Sequence, residues 1–195
     1  MSEIAATATS DAAERPAPDG ETVGTTGMWT FLATDAMGFG GLFIAYGILR
    51  VRADVWPDPR SHLALVPAAA MTFALLASSL TMTLATRAAS ARVRRAWLDA
   101  TLALGVAFLA GGAVEYHHLL AGGGAMGLTN DLFASTFYLL TGFHGLHVLA
   151  GVVGIAFMFR AKSRPQSLET MALYWHFVDA MWMPIFSIIY LWPGR

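Results

Sequence analysis

Long apolar runs separated by short polar segments dominate the sequence. Each run has about 20 residues or more, the length that a helix needs to cross roughly 30 Å of hydrocarbon. Strands of a membrane barrel would alternate polar and apolar positions in runs of about ten residues, whereas these runs are continuously apolar. The pattern therefore predicts an all-α integral membrane protein, a bundle of five transmembrane helices. The predicted helices lie near 28–49, 63–86, 96–120, 132–159 and 171–192.

The first 27 residues differ from the rest of the chain. They are rich in Ala, Thr, Pro and Gly, and carry five acidic residues against one basic residue, Arg15. This composition predicts a disordered acidic tail over residues 1–27. A cleaved secretory signal would need a basic start followed closely by an apolar core, so we expect the first apolar run to stay in the protein.

The basic residues between the runs predict an orientation. Eight of them, including Arg15, fall on one side of the predicted bundle, and four fall on the other. Because cytoplasmic segments carry the excess of Lys and Arg, the N-terminus is predicted to be cytoplasmic and the C-terminus outside. The eight are Arg15, Arg87, Arg92, Arg94, Arg95, Arg160, Lys162 and Arg164.

Composition excludes several functions. The chain has 195 residues, of which 56% are hydrophobic and 13% charged, with a net charge of -1, so no nucleic-acid partner is expected. It has no cysteine, which excludes disulfides, a thiolate nucleophile, iron–sulfur clusters and Cys-ligated zinc or copper.

Ionisable residues at membrane depth are the candidate functional residues. Each is costly in lipid, so each should face protein, water or a headgroup. Spacing of three residues on a helix suggests two pairs, Glu115 with His118 and His176 with Asp179. The residues concerned are Asp35, Glu115, His117, His118, His144, His147, His176 and Asp179.

His144 and His147 raise the question of a cofactor. Two histidines three residues apart on one helix cannot take opposite axial positions of a haem, so ligation would need a facing helix to supply His118 or His176. A dinuclear metal site would need Glu-x-x-His twice, and it occurs once, at Glu115. Hydrogen bonding between helices is the simpler interpretation. A proton relay through buried carboxyl groups is a further alternative.

Two long motifs resemble a known family. The segments STFYLLTGFHGLHVLAG at 135–151 and YWHFVDAMWMPIFSIIYLW at 174–192 closely resemble the last two helices of subunit III of haem-copper terminal oxidases, the cytochrome c and quinol oxidases. FLATD at 31–35, LLASSLTMTLA at 75–85 and LGVAFLAGGAVEY at 104–116 resemble the preceding helices in order. The resemblance covers about 28–193 and matches the five-helix form of the family.

The resemblance implies a non-catalytic subunit of the bacterial inner membrane. In this family subunit III has no haem or copper, which belong to subunits I and II. It packs beside subunit I, holds phospholipid in a cleft, and supports proton uptake and stability of the complex. It thus implies lipid or cleft positions at Asp35 and Arg160, and we extend this hypothesis to His144 and His147. Glu115, His118, His176 and Asp179 are expected to be structural polar residues.

Two departures from the family pattern leave other assignments open. Asp35 stands where the family has Glu, and Gly112 stands where it usually has Gln. An Asp at this place in the first helix resembles the subunit-III-like accessory proteins of nitric oxide reductases. An accessory protein of a nitric oxide reductase is therefore the alternative within the superfamily. Outside it, the intramembrane histidines leave a stand-alone cytochrome b or a small transporter as the alternative.

Overall fold

A computed structural model describes residues 20–58, 63–121, 132–160 and 165–192. Five helices in these ranges are long and apolar enough to cross a membrane, and the same ranges contain no strand. The predicted all-α membrane bundle is confirmed, while the orientation of its termini stays a prediction. The helices are α1 Gly20–Arg52, α2 Leu65–Thr86, α3 Ala91–Ala121, α4 Leu132–Arg160 and α5 Pro165–Phe186, which continues into a π-helical turn, Ser187–Leu191.

Several helices begin before the apolar runs do. Helix α1 begins at Gly20, so that residues 20–27 of the predicted tail are helical, and residues 1–19 lie outside the described residues. Helix α3 begins at Ala91 because Ser90 is its N-cap: the Ser90 hydroxyl oxygen accepts a 3.3 Å hydrogen bond from the Val93 amide. Hydropathy marks only the segment in hydrocarbon, and an existing helix extends past it at little cost per residue.

Helix α5 is the centre of the bundle and α1 is its periphery. In the apolar window of α5, 44% of the residues are buried, against 17% in α1. Helices α2 and α3 share the most extensive interface, while α5 contacts α1, α2 and α4. Much of α1 therefore faces outward.

The Trp175 indole of α5 is fully buried between glycines of two neighbouring helices. A Cβ atom added at Gly105 on α3 or at Gly151 on α4 would lie 2.7 Å from this ring. The two glycines therefore let α3 and α4 approach α5 closely around one large side chain.

The end of α5 is irregular. Pro184 lies inside the helix and has no N–H for the carbonyl of Ala180. The π-helical turn follows, and closes with a 3.1 Å hydrogen bond from the Trp192 amide to the Ser187 carbonyl. The Tyr46 hydroxyl on α1 donates to the carbonyl of Ile188 in this turn at 2.9 Å. The Tyr46 side chain of α1 thus uses the irregular backbone of α5 as an acceptor.

Candidate functional site

Asp35 on α1 and His147 on α4 form a polar contact between helices that are otherwise little packed together. Asp35 Oδ1 lies 3.2 Å from His147 Nε2, and the two side chains are 12% and 14% exposed, respectively. The second carboxyl oxygen, Oδ2, is buried and has no hydrogen-bond partner among the described residues. This is the one pair that brings two of the predicted lipid or cleft residues together in the part of the chain that the structure describes.

The geometry of His147 fixes where its protons lie. Its Nδ1 is 2.8 Å from the carbonyl oxygen of Phe143, which can only accept, so Nδ1 carries a proton. Nε2 then either accepts a proton from a neutral Asp35 carboxyl or donates one to a carboxylate. In both cases one proton lies between Oδ1 and Nε2 and hydrogen-bonds α1 to α4.

Three helices meet at His147. The Tyr174 hydroxyl of α5 donates to the backbone carbonyl of His147 at 2.9 Å, while Asp35 of α1 contacts its ring. On α1, the neighbouring Ala33 and Ala36 line a cavity of about 420 Å³ between α1 and α5. Trp29, Leu32, Leu173, His176 and Phe177 complete its lining, which is almost entirely apolar.

His144 points in a different direction from His147. It is 0% exposed, and its ring lies 5.0 Å from that of Trp182 and 5.7 Å from that of Phe108, measured between centroids. Neither ring nitrogen has a hydrogen-bond partner among the described residues. The ring therefore has no exposed surface at which a lipid could touch it.

Glu115 does not pair with His118. Its Oε2 accepts a 2.7 Å hydrogen bond from the Tyr190 hydroxyl, and its Oε1 is buried with no partner among the described residues. His118 is exposed and, with Glu115, lines a groove of about 360 Å³ between α2 and α3. The three-residue spacing does place Glu115 and His118 on one face of α3, but the Glu115 carboxyl bonds to the Tyr190 hydroxyl instead of to the histidine.

His176 and Asp179 do not pair either. His176 Nδ1 lies 2.6 Å from the Ser79 hydroxyl, and its Nε2 lies 3.4 Å from that of Thr83. Both carboxyl oxygens of buried Asp179 lack a hydrogen bond of good geometry to any described residue, although Ser79 is nearby. His176 therefore contacts hydroxyl groups of α2 across the α2–α5 interface, and not Asp179 on its own helix.

Sequence reasoning missed the hydroxyl groups of α2. Trp175 Nε1 donates to Ser78 and Trp182 Nε1 donates to Thr72, each at 2.9 Å. A signal was available, because the tryptophans recur seven residues apart on α5 and hydroxyl residues recur at a similar interval on α2.

Two further points concern predicted ligands. Helix α4 ends at Arg160, whose side chain lies outside the described residues. Across 20–58, 63–121, 132–160 and 165–192, no group of three or more His, Asp or Glu residues could hold a metal ion. The polar side chains of the described residues instead form hydrogen bonds between membrane-spanning helices.

These features define a multi-pass helical membrane protein in which polar side chains join the helices. The sequence profile of cytochrome c oxidase subunit III matches residues 22–194. The chain therefore belongs to the cytochrome c oxidase subunit III family.

Relatives from bacteria agree with this assignment. A cytochrome c oxidase subunit 3 of Synechocystis sp. is 38% identical over 181 residues, covering 85% of this chain and 74% of the relative. That of Thermostichus vulcanus is 34% identical over 176 residues, covering 85% of each. A probable cytochrome c oxidase subunit 3 of Nocardia farcinica is 36% identical over 185 residues, covering 89% of this chain and 88% of the relative. The predicted location in the bacterial cytoplasmic membrane is confirmed.

Proposed function

We propose that this chain acts as a non-catalytic subunit III that packs on the haem-bearing subunit I of an oxidase, in a complex that includes subunit II. The matched relatives are named as subunits of cytochrome c oxidase, which favours an oxygen-reducing complex over a nitric oxide reductase. Its roles are to bind phospholipid and to support proton uptake and stability of the complex. The Asp35–His147 pair, on a segment of α1 whose Ala33 and Ala36 line the α1–α5 cavity, is the observation that carries this proposal.

The α1–α5 cavity suits a lipid acyl chain. Its lining is apolar apart from His176, and Ala33 and Ala36 leave room that larger side chains would fill. A chain held there would cover part of α1, which packs less against the bundle than α5 does. Arg160, at the end of α4, is our candidate for the phosphate, since a guanidinium can bind it through two hydrogen bonds.

The Asp35–His147 pair suits a role in proton uptake. The proton between Oδ1 and Nε2 can move toward either group without breaking the Nδ1 hydrogen bond to the Phe143 carbonyl. Buried carboxyl and imidazole groups between membrane helices are the kind of side chains from which proton pathways are built.

Co-purification tests the assignment to an oxidase. A tagged chain should bring down a haem-copper subunit I, and the isolated complex should reduce oxygen and show haem bands that the chain alone lacks. A stoichiometric bis-histidine haem spectrum from the chain alone would contradict the proposal.

Phospholipid counting tests the cavity. Ala36→Leu should remove at least one phospholipid per complex in native mass spectrometry and hasten inactivation during turnover, with assembly retained. Ala45→Leu is the matched control, because Ala45 is exposed and lies on the opposite face of α1. Arg160→Ala should also loosen lipid retention. Equal lipid content in wild type and Ala36→Leu would refute the cavity as the binding site.

A further inference from the structure

The two halves of α1 are held to the bundle in different ways. In the second half, Phe39, Tyr46 and Arg50 are buried. Among the side chains that the structure describes between 24 and 37, Leu32 alone is buried. This first half nevertheless forms the α1 wall of the α1–α5 cavity. The helix is therefore attached firmly at one end and covers a cavity with the other.

Arg50 fastens the second half of α1 to the end of α5. Its guanidinium carbon lies 5.7 Å from the ring centroid of Trp56 and 4.9 Å from that of Trp192, close enough for a cation–π interaction with each. Its Nη1 donates to the Tyr46 hydroxyl at 3.3 Å, and that hydroxyl donates to the Ile188 carbonyl at 2.9 Å. We call this set of contacts the Arg50 clasp. It holds α1 to the π-helical turn at one end of the bundle.

Three glycines separate the clasped half of α1 from the half that lines the cavity. Cβ atoms added at Gly38, Gly40 and Gly41 would meet nothing within 4 Å. Phe39, which lies among them, is 1% exposed, and its ring centroid lies 5.0 Å from that of Phe143 on α4. Because glycine is a weak helix former and brings no side-chain contacts, α1 can bend here while Phe39 fixes the position of the bend.

The first half of α1 meets the bundle through contacts that separate easily. Asp35 hydrogen-bonds to His147 on α4 at 3.2 Å, and a single polar contact between membrane helices is weak. The ring centroid of Phe31 lies 6.3 Å from that of Tyr174 on α5. Trp29 and Phe31 are already 57% and 49% exposed, so moving them outward uncovers little additional surface.

We propose that residues 24–37 of α1 form a hinged lid over the α1–α5 cavity, and that the helix bends at 38–41. The Asp35–His147 hydrogen bond is the latch that holds the lid shut. Opening separates the α1 wall of the cavity from its α5 wall and widens the cavity toward the surrounding membrane. The entry of an acyl chain through this opening rests on the phospholipid proposal, whereas the motion itself does not.

Distances between spin labels measure the opening. The chain has no cysteine, so labels attach only at introduced cysteines. Thr25→Cys with Val93→Cys, the lid pair, joins the lid to the start of α3. Val51→Cys with Leu120→Cys, the clasp pair, joins the clasped half to the end of α3, and all four positions are exposed. In the full chain in phosphatidylcholine nanodiscs, double electron–electron resonance should give two distances for the lid pair and one for the clasp pair.

Asp35→Ala removes the latch. It should raise the ratio of open to closed lid, read from the longer and shorter lid-pair distances, about threefold. This is the effect expected from the loss of one polar contact of average strength between membrane helices. Thr34→Ala is the matched control, because the Thr34 hydroxyl donates to the Thr30 carbonyl of its own helix, and it should leave the ratio unchanged.

Two triple variants test the hinge. The hinge variant replaces the three glycines within 38–41 with alanine, which stiffens the helix without a clash, and it should lose the longer lid-pair distance. The control variant makes the same change at Gly24, Gly27 and Gly47, which also have nothing within 4 Å of an added Cβ atom. It should keep both distances.

A longer lid-pair distance that is lost in the hinge variant and kept in the control variant supports the lid. One lid-pair distance in both wild type and Asp35→Ala, or equal losses in the two glycine variants, would overturn it. A second clasp-pair distance in wild type would also overturn it, because α1 would then move as a whole. An unchanged clasp-pair distance establishes that each variant is folded. A lid that opens as expected in a complex without bound phospholipid would support the lid and contradict the phospholipid role.

Discussion

Helices α1 and α2 are attached to the central helix α5 in opposite ways. At the α2–α5 interface, Trp175 and Trp182 reach across to Ser78 and Thr72 and satisfy their indole N–H groups deep in the bundle. Helix α1 makes fewer contacts, and its Tyr46 reaches only a backbone carbonyl in the π-helical turn. The α2–α5 interface satisfies its polar groups within the chain, whereas the α1–α5 interface leaves most of α1 facing outward.

The difference distinguishes polar residues that only stabilise the bundle from polar residues that a ligand or another subunit could contact. The hydroxyls of Thr72 and Ser78 on α2 are buried and hydrogen-bonded, so they can stabilise the bundle but cannot contact a ligand. On α1, Met37 and Val51 are 77% and 71% exposed, and Ala33 and Ala36, on either side of Asp35 in the sequence, line a cavity. An outward helix that also carries a carboxyl group is suited to contacts with lipid or with another subunit.

The substitution expected to have the largest effect removes a buried tryptophan from α5. Trp175→Ala should lower the free energy of unfolding by about 3–5 kcal/mol, because it leaves a cavity and removes the indole donor to Ser78, whose hydroxyl still donates to the Leu75 carbonyl. Trp29→Ala on α1 removes the same kind of side chain from a position that is 57% exposed. It should change the free energy of unfolding by less than about 1 kcal/mol. Reversible unfolding in mixed detergent micelles measures both. Equal losses would mean that α1 packs as tightly as α2 does.

A pair of glycines tests packing with a single added methyl group. Gly105→Ala should destabilise the protein by about 1–3 kcal/mol, because its Cβ would lie 2.7 Å from the Trp175 ring. Gly41→Ala on α1 meets open space and should be neutral or stabilise the helix by up to about 1 kcal/mol. The same unfolding assay applies. A stable Gly105→Ala would show that the indole can move aside.

Sequence predicted the number and kind of helices better than the partners of their polar groups. Hydropathy responds to the hydrocarbon core, so it found each crossing but not the extra turns of α1 and α3. Spacing along one helix could not show that Tyr190 reaches Glu115, since that contact joins residues 75 positions apart. His147 and His176 do contact polar side chains of other helices, whereas the ring nitrogens of His144 have no partner in the described ranges.

The smallest expected effect distinguishes the polar contacts themselves. A double-mutant cycle with Asp35→Ala and His147→Ala should give a coupling energy of about 0.6 kcal/mol and at most about 1.7 kcal/mol, the range for polar contacts between membrane helices. The cycle of Trp182→Phe with Thr72→Val should fall in the same range, although that contact is buried. The two contacts should differ in proton chemistry. Asp35→Asn should slow proton uptake by the oxidase complex, followed with a pH indicator after rapid mixing with oxygen, whereas Trp182→Phe should not. Equal slowing in both variants would assign the effect to loosened packing and remove the case for a proton between Asp35 and His147.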